Sequence, residues 1–315
     1  MPAVPVAHVV RSGFVESVHH GSVVVLGADG AIDLAVGDVT SPMFPRSSNK
    51  PVQAVAMLRA GLDLDGELLA LTCASHSGED FHLAGVRRIL ASADLTEHAL
   101  QNTPDLPYGR AERAAWRTQG RGPSSVAQNC SGKHAGMLAA CVAAGWDTAT
   151  YRDPAHPLQQ LVAATLSELA GEPVAATGVD GCGAPVMAVS LTGLARAFAG
   201  IAIAPSGTPR GRVAAAMRAH PRWLGGTGRD VTALVEGIPG LIAKDGAEAV
   251  YAAALPDGRA VALKIADGGQ RAAPVVLAAA LRAAGVQAAV LERLADAPVL
   301  GHGKPVGAVR ALPLR

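Results

Sequence analysis

Hydrophobic positions fall in short blocks toward both ends of the chain and in longer, helix-spaced stretches between them. Residues 14–18, 22–26 and 31–35 have strand length, and Ala28-Asp29-Gly30 supplies a turn between the last two. They predict short strands near the start. The apolar run Leu68 to Cys73 opens into Ala74-Ser75-His76-Ser77-Gly78-Glu79. That predicts a buried strand ending in a polar loop, a usual place for working residues. Helical spacing predicts helices after Lys50 and over 80–93, 132–144, 154–169, 184–199 and 272–284. Residues 101–128, rich in Pro, Gly and Arg, predict an irregular surface excursion. Residues 249–255 and 260–265 predict a hairpin around Pro256-Asp257-Gly258, and the tail from Val299 a returning strand.

Strands at both ends with a mostly helical middle, about 76–240, predict a three-layer α/β arrangement. In it a mixed sheet built from both chain ends is packed around by helices. Regular βαβ alternation is absent, which argues against a Rossmann fold.

Composition narrows the function classes. The 315 residues are half hydrophobic with a formal charge of +1, enough for one large or two moderate globular units. No basic cluster offers a footprint for nucleic acid or an anionic membrane. With four Phe, three Trp and three Tyr, stacking platforms for bases are scarce. No secretory signal or membrane span is expected, so the expectation is a soluble cytoplasmic protein. Cys73, Cys130, Cys141 and Cys182 then read as thiols or metal ligands rather than disulfides.

The candidate chemistry starts at Ser47-Ser48-Asn49-Lys50. Ser-x-x-Lys at the mouth of a helix places a hydroxyl and an amine on one face. A serine needs a nearby base, and a lysine serves once burial or a neighbouring cation such as Arg46 depresses its pKa. Asn129-Cys130-Ser131-Gly132-Lys133-His134 puts a thiol, an amine and an imidazole on one face of a helix start. Gly178-Val179-Asp180-Gly181-Cys182-Gly183 presents an acid and a second thiol, which with Cys130 could bind zinc, although Cys-x2-Cys spacing is missing. Lys244-Asp245-Gly246 adds a Lys-x-Gly element on a late strand, as in penicillin-recognising serine enzymes.

Taken in order, Arg46–Lys50, Cys73–Glu79, Asn129–Met137, Asp180–Gly183, Gly225-Gly226-Thr227-Gly228-Arg229 and Lys264-Ile265-Ala266-Asp267-Gly268 resemble the class 3, Rhizobium etli-type (asparaginase II) L-asparaginases. The resemblance implies a single catalytic domain over 1–315 with a serine β-lactamase/glutaminase-like fold, acting as a homodimer. It implies hydrolysis of L-asparagine to L-aspartate and ammonia through two Ser–Lys tandems. The first maps to Ser47 and Lys50. The second maps to Ser75, preferred over Ser77, and to Lys244, with Lys264 as its rival. Zn2+ ligands map to Cys130, Lys133 and Cys182. Substrate surroundings map to Arg46 for the α-carboxylate, Asp180 for the α-ammonium, and Ser77 and His134. Ser47 is the favoured nucleophile, with Ser75 and Lys244 positioning substrate or relaying protons. A glutaminase, a cysteine hydrolase using Cys130 with His134, and a non-catalytic amino-acid-binding homologue are the alternatives.

Overall fold

The computed structural model describes residues 3–314. Its elements run β1 (Val4–Arg11), β2 (Phe14–Leu26), β3 (Ile32–Val36), α1 (Lys50–Arg59), α2 (Gly66–Thr72), α3 (Asp80–Ala91), α4 (Arg110–Thr118), α5 (Ser131–Ala144) and α6 (Pro157–Ala170). The hairpin β4 (Ala176–Val179) and β5 (Pro185–Ala188) follows, then α7 (Leu191–Ala202), α8 (Pro209–Ala219), α9 (Pro221–Leu224) and α10 (Asp230–Gly237). The chain closes with β6 (Ile242–Gly246), β7 (Val250–Ala254), β8 (Ala260–Ile265), α11 (Ala273–Ala283), α12 (Ala289–Leu294), β9 (Asp296–Gly301) and β10 (Lys304–Ala311).

The chain ends share one sheet in the order β6-β7-β8-β2-β1-β10-β9, with β3 also paired to β2. Ala7 on β1 faces Ala311 on β10, so the first and last strands are neighbours. Strands β7 and β8 are buried along nearly their whole length. Such continuous apolar runs mark strands covered on both faces. Helices α7 and α11 both pack on β8 and β2. Strand β9, at the sheet edge, alternates exposed and half-buried residues, the mark of a strand with one wetted face.

Three expectations are corrected. All pairings in the sheet are antiparallel rather than mixed, both between strands adjacent in sequence and in the long-range pairs β1–β10 and β2–β8. The run 68–73 is helix α2, not a strand; a short apolar run does not carry its own period. The span 184–199 divides into strand β5 and helix α7, where Ser190 Oγ accepts the Gly193 N–H at 2.9 Å as N-cap. In addition, residues 14–26 form one continuous strand, and 101–128 contains helix α4, on which no residue is buried.

Candidate active site

The loop between β3 and α1 tightens into a 3-10 turn over Arg46–Asn49. Arg46 enters it with φ +53°, a left-handed conformation that strains a residue with a Cβ. Ser48 Oγ donates to the Pro45 carbonyl at 2.7 Å, locking the turn. Pro51 lies in the first turn of α1, where no N–H is missed. Ser47 is thereby half-buried at a helix mouth, and among the described residues its Oγ has no hydrogen-bond partner.

Lys50 is buried, and its amine crosses to the loop that follows α2. It donates to the Ala74 carbonyl at 2.5 Å, to Ser75 Oγ at 3.0 Å and to Cys130 Sγ at 3.2 Å. The expected pairs, Ser47 with Lys50 and Ser75 with Lys244, therefore re-sort: the first lysine holds the second serine. Ser75 is fixed from behind by its N–H on the Leu224 carbonyl, and Ser77 by its N–H on the Gly225 carbonyl. Ser77 Oγ also donates to Gly225 at 3.1 Å, so this hydroxyl fastens the 225–228 loop. A cavity of about 290 Å³ brings Ser47, Ser75, Tyr108, Asn129, Asp245 and Glu248 to one surface. Larger surface hollows exist, two of about 600 Å³ and one of about 480 Å³, but none has a serine or lysine in its wall.

Lys244 is fully buried on β6 and does not line this cavity. Its amine bonds the carbonyl and the carboxylate of Asp245. Burial pushes its pKa down to about 8, against the pull of Asp245. Arg229 holds the other Asp245 oxygen at 3.0 Å and lies over the Tyr108 ring at 4.6 Å. β6 comes this close to the Ser47 turn because residue 246 is glycine. A Cβ there would lie 2.8 Å from the Pro45 carbonyl and 3.1 Å from the Ser48 nitrogen. Lys264, the rival of Lys244, bonds the carbonyls of Glu248 and Ile265 and reaches neither serine.

Arg46 and Asp180 form an ion pair, Nε to Oδ1 at 2.8 Å. Burial opposes ionisation of Asp180, but Lys133 and Arg46 outweigh it and hold the carboxyl below its usual range. His134 is fully buried at the start of α5, with Nδ1 2.7 Å from Tyr151 Oη. Burial pushes its pKa well down, and it does not line the cavity.

Cys130, at the N-cap of α5, and Cys182, on the β4–β5 turn, form a small buried cluster with Ala184. Lys133 Nζ stands 3.0 Å from Cys182 Sγ. The pKa of the free Cys130 thiol is pushed well down by a hydrogen bond with the Cys182 thiol, against burial, and the nearby Lys50 and Lys133 charges add to this. Among the described residues no three His, Cys, Asp or Glu side chains converge as metal donors. A metal here would need the amine as its third ligand, and the set of two thiols and one amine fits a soft, borderline cation. The same thiol geometry disfavours the Cys130–His134 hydrolase, since His134 bonds Tyr151 and not the thiol.

Tyr108, Arg229, Asp245 and Glu248 carry no role legible in the sequence. Arg229 and Asp245 stand inside the 225–229 and 244–246 motifs, but which carboxylate meets which cation is a tertiary fact.

Buried amines and serine hydroxyls thus meet at a small polar cleft in an α/β fold. The sequence profile of the family described as L-asparaginase II matches residues 7–311. The chain belongs to that family, a family of amidohydrolases. Comparison with curated proteins returns no match. Among solved structures, the chain is similar to a crystal structure of Mglu at 13% identity, covering 87% of this chain and 67% of that one, with a TM-score of 0.44. For a second Mglu structure it spans 62% of that chain's length. A β-lactamase from Mycobacterium bovis shows 15% identity, coverage of 79% and 87%, and a TM-score of 0.40. A Bacillus glutaminase shows 13%, 78% and 83%, with a TM-score of 0.29. Among the described residues no helix is long and apolar enough to cross a membrane.

Proposed function

We propose that the protein hydrolyses the side-chain amide of L-asparagine through an acyl-enzyme on Ser47. The observation that carries this reading is the meeting of Ser47 and Ser75 on one cavity, with Lys50 bonded to Ser75 at 3.0 Å. Ser47 has the free hydroxyl, while Ser75 has the base within reach. In the reading, Ser47 Oγ attacks the amide carbon, and its proton passes to the Lys50–Ser75 pair. The C–N bond then breaks as that proton returns to the leaving nitrogen, releasing ammonia. Water cleaves the ester to give L-aspartate and restores the serine.

A second reading makes Ser75 the nucleophile, and the same 3.0 Å contact favours it. Lys244 and Arg229, behind the cavity wall, then hold the Asp245 carboxylate that lines it in either case. Cys130, Lys133 and Cys182 would hold a zinc ion, which when bound would place positive charge beside Lys50 and Asp180. If so, Cys182→Ala protein loses its metal, measured by elemental mass spectrometry; full metal retention would defeat the assignment.

Ammonia release from L-asparagine and L-glutamine by wild type, Ser47→Ala and Ser75→Ala tests the function. Release from asparagine, abolished in Ser47→Ala, is expected. Preferential release from glutamine would move the substrate to the longer amide. Full activity of Ser47→Ala would overturn the nucleophile.

A further inference from the structure

Glu248 and Ala249 follow β6 with φ +58° and +52°. Two successive left-handed residues with side chains are strained and persist only when their surroundings hold them. Here the turn is held from two sides. Lys264 Nζ donates to the Glu248 carbonyl at 2.7 Å. Gly268, at φ +74°, leaves room for the side chain, because a Cβ there would lie 2.5 Å from Glu248 Oε2. Two members of the 264–268 motif, unused by the proposed chemistry, thus serve one carboxylate.

That carboxylate lines the same cavity as Ser47 and Ser75. Among the described residues it accepts no hydrogen bond, and Arg46 Nη1 stands 3.9 Å from it. Asp180 differs. Its Oδ1 already accepts Arg46 Nε and the Gly181 N–H, both at 2.8 Å, and it is not among the lining residues. Asp245 also lines the cavity, but Lys244 and Arg229 take its two oxygens, so the open anionic acceptor is Glu248.

We propose that Glu248 receives the α-ammonium group of the substrate and selects amino-acid amides over amides without an α-amine. Lys264 is its positioning residue. The inference rests on the amide-hydrolase reading above.

The test is titration calorimetry of the full chain with L-aspartate and with succinate, which lacks the α-amine, beside ammonia release from L-asparagine. Glu248→Gln is expected to weaken L-aspartate at least about tenfold while succinate binding holds, since a charged acceptor is lost to one ligand only. KM for L-asparagine should rise with kcat nearly unchanged. Lys264→Met should act in the same direction, and the double variant should go no further than Glu248→Gln alone. Equal loss for both ligands, no loss for either, or no binding of L-aspartate by wild type would each overturn the inference. Glu248-dependent binding of L-aspartate without ammonia release would defeat the hydrolase reading and leave this one standing. Ammonia release with unchanged discrimination would do the reverse.

Discussion

Lys50 and Lys244 are both buried lysines within the same fold, yet they meet opposite surroundings. Lys50 spends its hydrogen bonds on a carbonyl, a hydroxyl and a thiol. Lys244 spends its own on the backbone and carboxylate of Asp245, which Arg229 also holds. Burial alone therefore does not make a lysine a base; what matters is whether a transferable proton lies within reach. Lys50 touches a serine hydroxyl, whereas Lys244 is held from behind by a carboxylate that Arg229 shares.

The widest separation between the two should be kinetic. Lys50→Met and Ser47→Ala are each expected to lower kcat by roughly 10³-fold or more, as loss of a nucleophile or its base does. Lys244→Met should cost about tenfold, as expected for a charge that acts at one remove. Equal loss at both lysines in folded protein would erase the distinction.

Stability should separate them in the other direction. Asp245→Asn leaves Lys244 and Arg229 short of a counter-charge, a defect that typically costs about 3–5 kcal/mol in a buried site. Urea unfolding measures it, and the Lys244→Met/Asp245→Asn double variant should recover part of the loss. No destabilisation would mean that the network is not closed off from water.

The pH dependence sharpens the comparison further. The folded pKa of Lys244 is pushed from 10.5 down to about 8. Between those values the folded protein binds fewer protons than the unfolded chain, so this group makes stability rise with pH. Its cost is fully present below pH 8 and fades toward pH 10.5. Lys244→Met should flatten that slope, and an unchanged slope would place its origin elsewhere. The smallest effect is expected at Ser77→Ala, about 1 kcal/mol for one hydrogen bond to the Gly225 carbonyl, with activity kept.

Much of this fold was legible in the chain. The β7–β8 hairpin announced itself by Pro256-Asp257-Gly258, and α11 by its apolar spacing. Helix α2 reads as a strand in the sequence because its seven residues are too few to show a period. Strand β5 was lost inside an Ala-rich stretch, although Ser190 carried the cap signal for α7. The site was legible as residues but not as pairs. Ser47 and Lys50 are three apart in sequence, yet the amine turns to Ser75 because the loop after α2 is stitched to 129 and 225 by backbone bonds. No spacing rule contains that contact. Glu248 had no motif to betray it, only a backbone strain that appears once φ is known.

Trapping the acyl-enzyme shows whether Ser47 attacks with the Lys50–Ser75 pair as its proton acceptor. Wild type and Ser75→Ala are mixed with L-asparagine, quenched in acid within the first turnover, and digested for peptide mass mapping. An aspartyl adduct on the peptide containing Ser47 is expected, formed much more slowly in Ser75→Ala. An adduct on Ser75 in the wild type, or turnover with no serine adduct in either protein, would contradict it.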